Sequence, residues 1–151
     1  MATLQEFKED LSLLVEAGLI AIKQGDEESA KKLFNAVGVI EGQGTQKKMG
    51  YGLISLHKMD IKTAVKSFED VLQTEPTNYR AQAFLGLAHI LSVLQEGTSN
   101  DEKIKSLKKG AELATEVIQK SDSPSTKKLA QSLLDWEKEL QEKAANRTMG
   151  K

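Results

Sequence analysis

The chain has 151 residues, 39% of them hydrophobic and 28% charged, a composition that excludes a disordered or fibrous protein and fits a single ordered domain. Lysine plus arginine number 21 against 22 aspartate plus glutamate, a net charge of −1, which argues against the basic face of a nucleic-acid binder. There is no cysteine, which removes disulfides, thiol catalysis and cysteine-based zinc sites from consideration and fits a cytoplasmic protein.

The first ten residues are polar and lack the apolar core of a signal peptide. No apolar run approaches the ~20 residues of a membrane span, so no membrane insertion is expected. Leu4, Phe7, Leu11 and Leu14 form a helical stripe that runs from this segment into the next. Residues 1–10 are read as an N-terminal helical extension, either continuous with the first repeat or a short separate helix.

Self-similarity begins at once. Gly18, Gly52 and Gly86 are spaced by 34 residues, in the tripeptides Gly18-Leu19-Ile20, Gly52-Leu53-Ile54 and Gly86-Leu87-Ala88. At the same offset Asp26 pairs with Asp60, Ala30 with Ala64, Phe34 with Phe68 and Val37 with Val71. A period of this length is the mark of a stacked helical-hairpin array. Residues 11–44 form one repeat and 45–78 a second. Glycine and alanine permit the two helices of a hairpin to cross closely. The phenylalanine one turn beyond the alanine is placed to fill the gap between neighbouring hairpins.

The third repeat, residues 79–121, starts with Asn78 as N-cap and a helix over 79–95. It then departs from the pattern. Gly97-Thr98-Ser99-Asn100 makes a longer loop, with Asn100 expected to cap a helix over 101–120. Ile104, Leu107, Ala111, Ala114 and Ile118 line one side of that helix. The offset implies an insertion of about ten residues at the hairpin tip. Asp122-Ser123-Pro124-Ser125 ends it and starts another helix, with proline early as expected. In the segment 122–143, Leu129, Leu133, Trp136 and Leu140 face one way and Lys127, Lys128, Glu137, Lys138 and Glu139 the other. This is the pattern of a capping helix. Residues 144–151 are read as a flexible tail.

The period and residue types resemble the tetratricopeptide repeat. The resemblance covers about residues 11–120. Gly18, Gly52 and Gly86 stand at its small eighth position, Ala30 and Ala64 at the twentieth, and Phe34 and Phe68 at the large twenty-fourth. Pro76 is its closing proline, where the first repeat has Gly42 instead. The resemblance implies an all-α solenoid of about three hairpins plus a capping helix, whose first helices line a concave groove. Carried over position by position, the groove is lined by Val15, Leu19 and Ile22, then Met49, Leu53 and Leu56, then Ala83, Leu87 and Ile90. The lysines, arginines and asparagines with which one branch of the family clamps a C-terminal carboxylate are absent from these positions. An apolar groove of this kind fits an apolar or amphipathic helix of a client protein. The same leucines could instead pack within their own hairpins or under a terminal helix.

No catalytic constellation is found, and the chain is not read as an enzyme. His57 and His89 occupy different repeat positions and are not read as a metal pair. Gly42-Gln43-Gly44 lacks the strand and lysine of a phosphate loop. No catalytic, cofactor-binding or metal-binding residue is assigned. The size and groove character resemble the tetratricopeptide-type chaperones of bacterial type III secretion. The needle-subunit chaperones are favoured over those of the hydrophobic translocators. That resemblance implies a needle-type client held before export, together with a small helical co-chaperone. A generic scaffold built from such repeats is the alternative.

Overall fold

The computed structural model describes residues 3–149. Among them the chain forms seven α-helices and one 3-10 turn, with no strand. They are α1 (Leu4–Lys23), α2 (Glu27–Glu41), α3 (Gln46–His57), α4 (Ile61–Thr74), α5 (Tyr79–Leu91), the turn Ser92–Leu94, α6 (Asn100–Lys120) and α7 (Pro124–Met149). The helices gather into two compact units, Met1–Thr74 and Glu75–Lys151.

In the first unit α1 packs against α2, α2 against α3 and α3 against α4. The N-terminal extension is continuous with the first repeat. A capping box starts α1: Thr3 Oγ1 accepts from the Glu6 amide at 3.1 Å, and the Thr3 amide donates to Glu6 Oε2 at 2.9 Å. Two orphan donors of the first turn are thereby satisfied, and nothing in the stripe interrupts the helix before Lys23.

The two hairpin turns repeat in atomic detail. In the first, the Gly25 amide donates to Ile22 O at 3.0 Å and the Asp26 amide to Ala21 O at 2.9 Å. In the second, 34 residues on, the Met59 amide donates to Leu56 O at 3.0 Å and the Asp60 amide to Ser55 O at 2.8 Å. Each pair is a Schellman closure, which requires a left-handed residue just past the helix. Gly25 takes it at φ 74° and Met59 at φ 60°. The aspartate that follows caps the next helix, Asp26 Oδ1 accepting from the Ser29 amide at 3.0 Å. Hydrogen bonds from the Ser29 side chain and then its amide hold the Asp26 carboxyl below its ordinary pKa.

A side chain at positive φ costs roughly 1–2 kcal/mol, part of which glycine returns through its own chain entropy. Met59→Gly is therefore expected to stabilise the protein by about 0.5–1 kcal/mol. Thermal unfolding followed by circular dichroism would show it as a rise in Tm, whereas Gly25→Ala should lower Tm.

Two of the three glycines at the 34-residue period, Gly18 and Gly52, sit under phenylalanine rings. A Cβ on Gly18 would lie 2.7 Å from Phe34 Cε2, and one on Gly52 would lie 2.7 Å from Phe68 Cε1. Each phenylalanine thus seats on the glycine of its own hairpin. Phe34 does more. A Cβ on Gly50, in α3, would lie 2.2 Å from its Cδ1, so one ring is wedged between α1 and the next hairpin. Ala21, Ala30, Val37 and Ile54 complete this core.

The second unit is a hairpin closed by a third helix. α5 packs on α6, and α7 packs on both. Gly86 and Gly110 set the crossing, since a Cβ on Gly110 would be 3.0 Å from Gly86 O and 2.6 Å from Ile90 Cγ1. Buried Gln82 ties the pair, its Nε2 donating to Leu113 O at 3.2 Å and to Glu116 Oε2 at 2.8 Å. Ile104 is exposed, so the inner stripe of α6 begins at Leu107.

The cap of α6 is Ser99, not the expected Asn100. Ser99 Oγ accepts from the Glu102 amide at 3.2 Å and the Glu102 carboxylate accepts from the Ser99 amide at 3.2 Å. A second capping box outcompetes a lone asparagine one residue later. Helix α5 likewise ends at Leu91, passing into the 3-10 turn before residue 95. At the other end α7 runs on to Met149, so residues 144–149 are helical; residues 150 and 151 lie outside the described part.

The outward assignment of Glu137 needs correction. It is buried on the inner stripe of α7, in register with Thr126, Ala130 and Leu133. It accepts from Gln141 Nε2 on the same helix, and burial pushes its carboxyl above the ordinary range. A raised pKa in the fold means that the folded state binds the proton more readily. Stability is therefore lost as pH rises through the carboxylate range and regained on acidification. Glu137→Gln is expected to raise Tm at pH 7, with the gap to wild type closing as pH falls below the ordinary glutamate pKa. Melting curves across pH would check both.

Candidate protein-binding face

The candidate groove residues separate into two groups. In the first unit, Val15, Leu19 and Ile22 are spaced to share one side of α1, and Met49, Leu53 and Leu56 one side of α3. Val15, Leu19 and Ile22 are half-buried, with one flank on the Phe34 core and the other reaching solvent. Met49 and Leu53 are half-buried as well, while Leu56 is buried. The α1 and α3 helices also pack on each other. Beside this face, between the two Schellman turns, is a cavity of about 150 Å³ lined by Ile22, Gly25, Glu27, Ile54, His57 and Lys58. Glu27 crosses its rim, 2.7 Å from Lys31 Nζ and 3.0 Å from Lys58 Nζ. Hydrogen bonds from these two ammonium groups hold its carboxyl below the ordinary range. Being exposed, the pairs contribute little stability.

In the second unit two of the three same repeat positions are not a surface. Ala83 and Ile90 are fully buried, and they share a core with Leu107, Ala114, Val117, Ala130 and Leu133. Leu87 packs against that core. The open groove expected at Ala83 and Ile90 is corrected accordingly: both are core, as Leu56 is in the first unit. The stripe of α7 has to be buried somewhere, and α5 and α6 supply the apolar partners. The groove residues that keep exposed surface are Val15, Leu19, Ile22, Met49 and Leu53 in the first unit and Leu87 in the second.

Among the described residues no three histidine, aspartate or glutamate side chains are grouped to hold a metal ion, and no helix is long and apolar enough to cross a membrane. His57 lines the cavity rim, and His89 lies on α5 in the other unit.

The face lies on an all-α protein of helical hairpins, two of which share turn, cap and glycine–phenylalanine contact at a 34-residue offset. No protein-family model, curated protein or solved structure matches the chain.

Proposed function

We propose that this protein is a helix-holding chaperone whose α1–α3 face shields an amphipathic helix of a client protein. The observation that carries the reading is the run of half-buried apolar side chains at matching positions of two adjacent helices: Val15, Leu19 and Ile22, with Met49 and Leu53. An amphipathic helix lays apolar residues at i, i+3, i+4 and i+7 into such a surface. Met49 supplies an unbranched, adaptable side chain to it. The cavity beside Ile22 and His57 has room for one more apolar side chain of the client.

In its most specific form, the client is a short self-assembling helical subunit of a secretion apparatus, of the type III needle kind, held in the cytoplasm until export. Binding alone accomplishes that task, because covering the apolar stripe of a polymerising helix blocks its assembly. The test is co-purification of the tagged protein from the cells that make it, beside a Leu53→Glu variant. The expected result is one small helical protein retained by wild type and absent from the variant. Equal retention by both would rule out the face.

A further inference from the structure

A second surface of α1 becomes visible when α1 is laid on α3 at the 34-residue offset. Four residues along one side of α3 meet the preceding hairpin. The Lys47 chain lies over Gly38, Gly50 takes the Phe34 ring, Tyr51 Oη donates to Asn35 Oδ1 at 2.8 Å, and Ile54 is buried in the Phe34 core. The equivalent residues of α1 are Leu13, Glu16, Ala17 and Ile20. No hairpin precedes α1 among the described residues, and this side of it is open. Ile54 is 4% exposed where Ile20 is 48% exposed, and Leu13 is 63% exposed. The side is therefore a stacking edge of the same kind as the one α3 buries, presented to solvent.

Its charges specify what can cover it. Glu6, Glu9, Leu13, Glu16 and Ile20 follow one another at i, i+3, i+7, i+10 and i+14, the seam spacing of a two-helix contact. All five are exposed, and Lys23 ends the stripe. Glu16 stands where α3 has Gly50, so the edge cannot seat a ring as α3 seats Phe34. Two copies of α1 pairing in parallel and in register through this side would set carboxylates against carboxylates, which disfavours that dimer.

We infer that this side of α1 docks a helix of a partner protein that lays apolar residues on Leu13 and Ile20 and lysine or arginine against Glu6, Glu9 and Glu16. This surface is distinct from the α1–α3 face and could be engaged with that face occupied.

The test uses two fluorescein-labelled peptides of about three heptads, one with leucine at a and d and lysine on the flanks, the other with glutamate for lysine. A scrambled lysine peptide is the control. Fluorescence anisotropy should show the full-length protein binding the lysine peptide at least tenfold more tightly than either the glutamate or the scrambled peptide. Leu13→Ser/Ile20→Ser should lose that binding while Leu53→Glu retains it. Glu16→Lys should weaken binding of the lysine peptide and improve binding of the glutamate peptide. Leu13, Glu16 and Ile20 are exposed, so circular dichroism and Tm of those variants should match wild type. The inference is overturned if Leu13→Ser/Ile20→Ser binds the lysine peptide as wild type does, or if Leu53→Glu abolishes it instead. It is also overturned if sedimentation shows a wild-type dimer that Leu13→Ser/Ile20→Ser dissociates, for then a second copy covers the edge.

Discussion

Phe34→Ala is expected to cost about 3–5 kcal/mol, the range for truncating a buried aromatic ring, and to be among the most damaging single changes in the first unit. The ring is 1% exposed and fills space against Gly18 on one side and Gly50 on the other. Two helix contacts therefore depend on it. Total stability of a protein this size is only about 5–15 kcal/mol, so such a loss consumes much of it. Urea unfolding followed by circular dichroism would read the change as a lower midpoint. The converse substitution supplies a control. Gly50→Ala adds one methyl group and improves helix propensity by up to ~1 kcal/mol. Its Cβ would nevertheless meet a buried, rigid ring at 2.2 Å. It should therefore destabilise, and by less in a Phe34→Leu background, where the smaller side chain yields room. Gly38→Ala shows the contrast, since its new Cβ meets only the Lys47 chain, which can swing aside.

Leu53→Glu and Leu19→Glu should each weaken client binding by about 2 kcal/mol or more, roughly 30-fold, as expected for a central apolar anchor replaced by a charge. Both side chains are half-buried, so each variant also tests how far the face belongs to the fold. Leu19 touches the Phe34 core, and its replacement should lower Tm. Titration calorimetry with the purified client, run beside a thermal melt of each variant, separates lost affinity from lost structure.

The repeat was readable because a 34-residue period forces chemistry to recur. Asp26 and Asp60, Gly18 and Gly52, and Phe34 and Phe68 each appear twice in one role. The placing of the phenylalanine between hairpins followed from its distance to the alanine one turn before, and Phe34 occupies that place. What the periodicity could not tell was which apolar stripe covers which. Ala83, Leu87 and Ile90 look like Val15, Leu19 and Ile22 in register, yet α7 packs on α5, and Ala83 and Ile90 become core with Leu87 half-buried against them. A stripe records that a side is apolar, not what lies against it. Glu137 was misplaced for a related reason. Its neighbours Lys138 and Glu139 point outward, and a charged residue among charged residues reads as solvent-facing until the helix is docked. The open edge of α1 was in the sequence as well. It emerges from comparing Leu13, Glu16, Ala17 and Ile20 with Lys47, Gly50, Tyr51 and Ile54, which takes knowledge of what the α3 residues touch.

The placement of a client helix on the α1–α3 face is tested most directly by a photo-crosslinking amino acid at position 53. A second variant carries it at position 105, an exposed lysine site on α6. Both are irradiated in the cells that make the protein. Position 53 should give an adduct with one protein, mapping by mass spectrometry to a segment with apolar residues at helical spacing, and position 105 should give none. No adduct from position 53 above that from position 105 would contradict a client on this face.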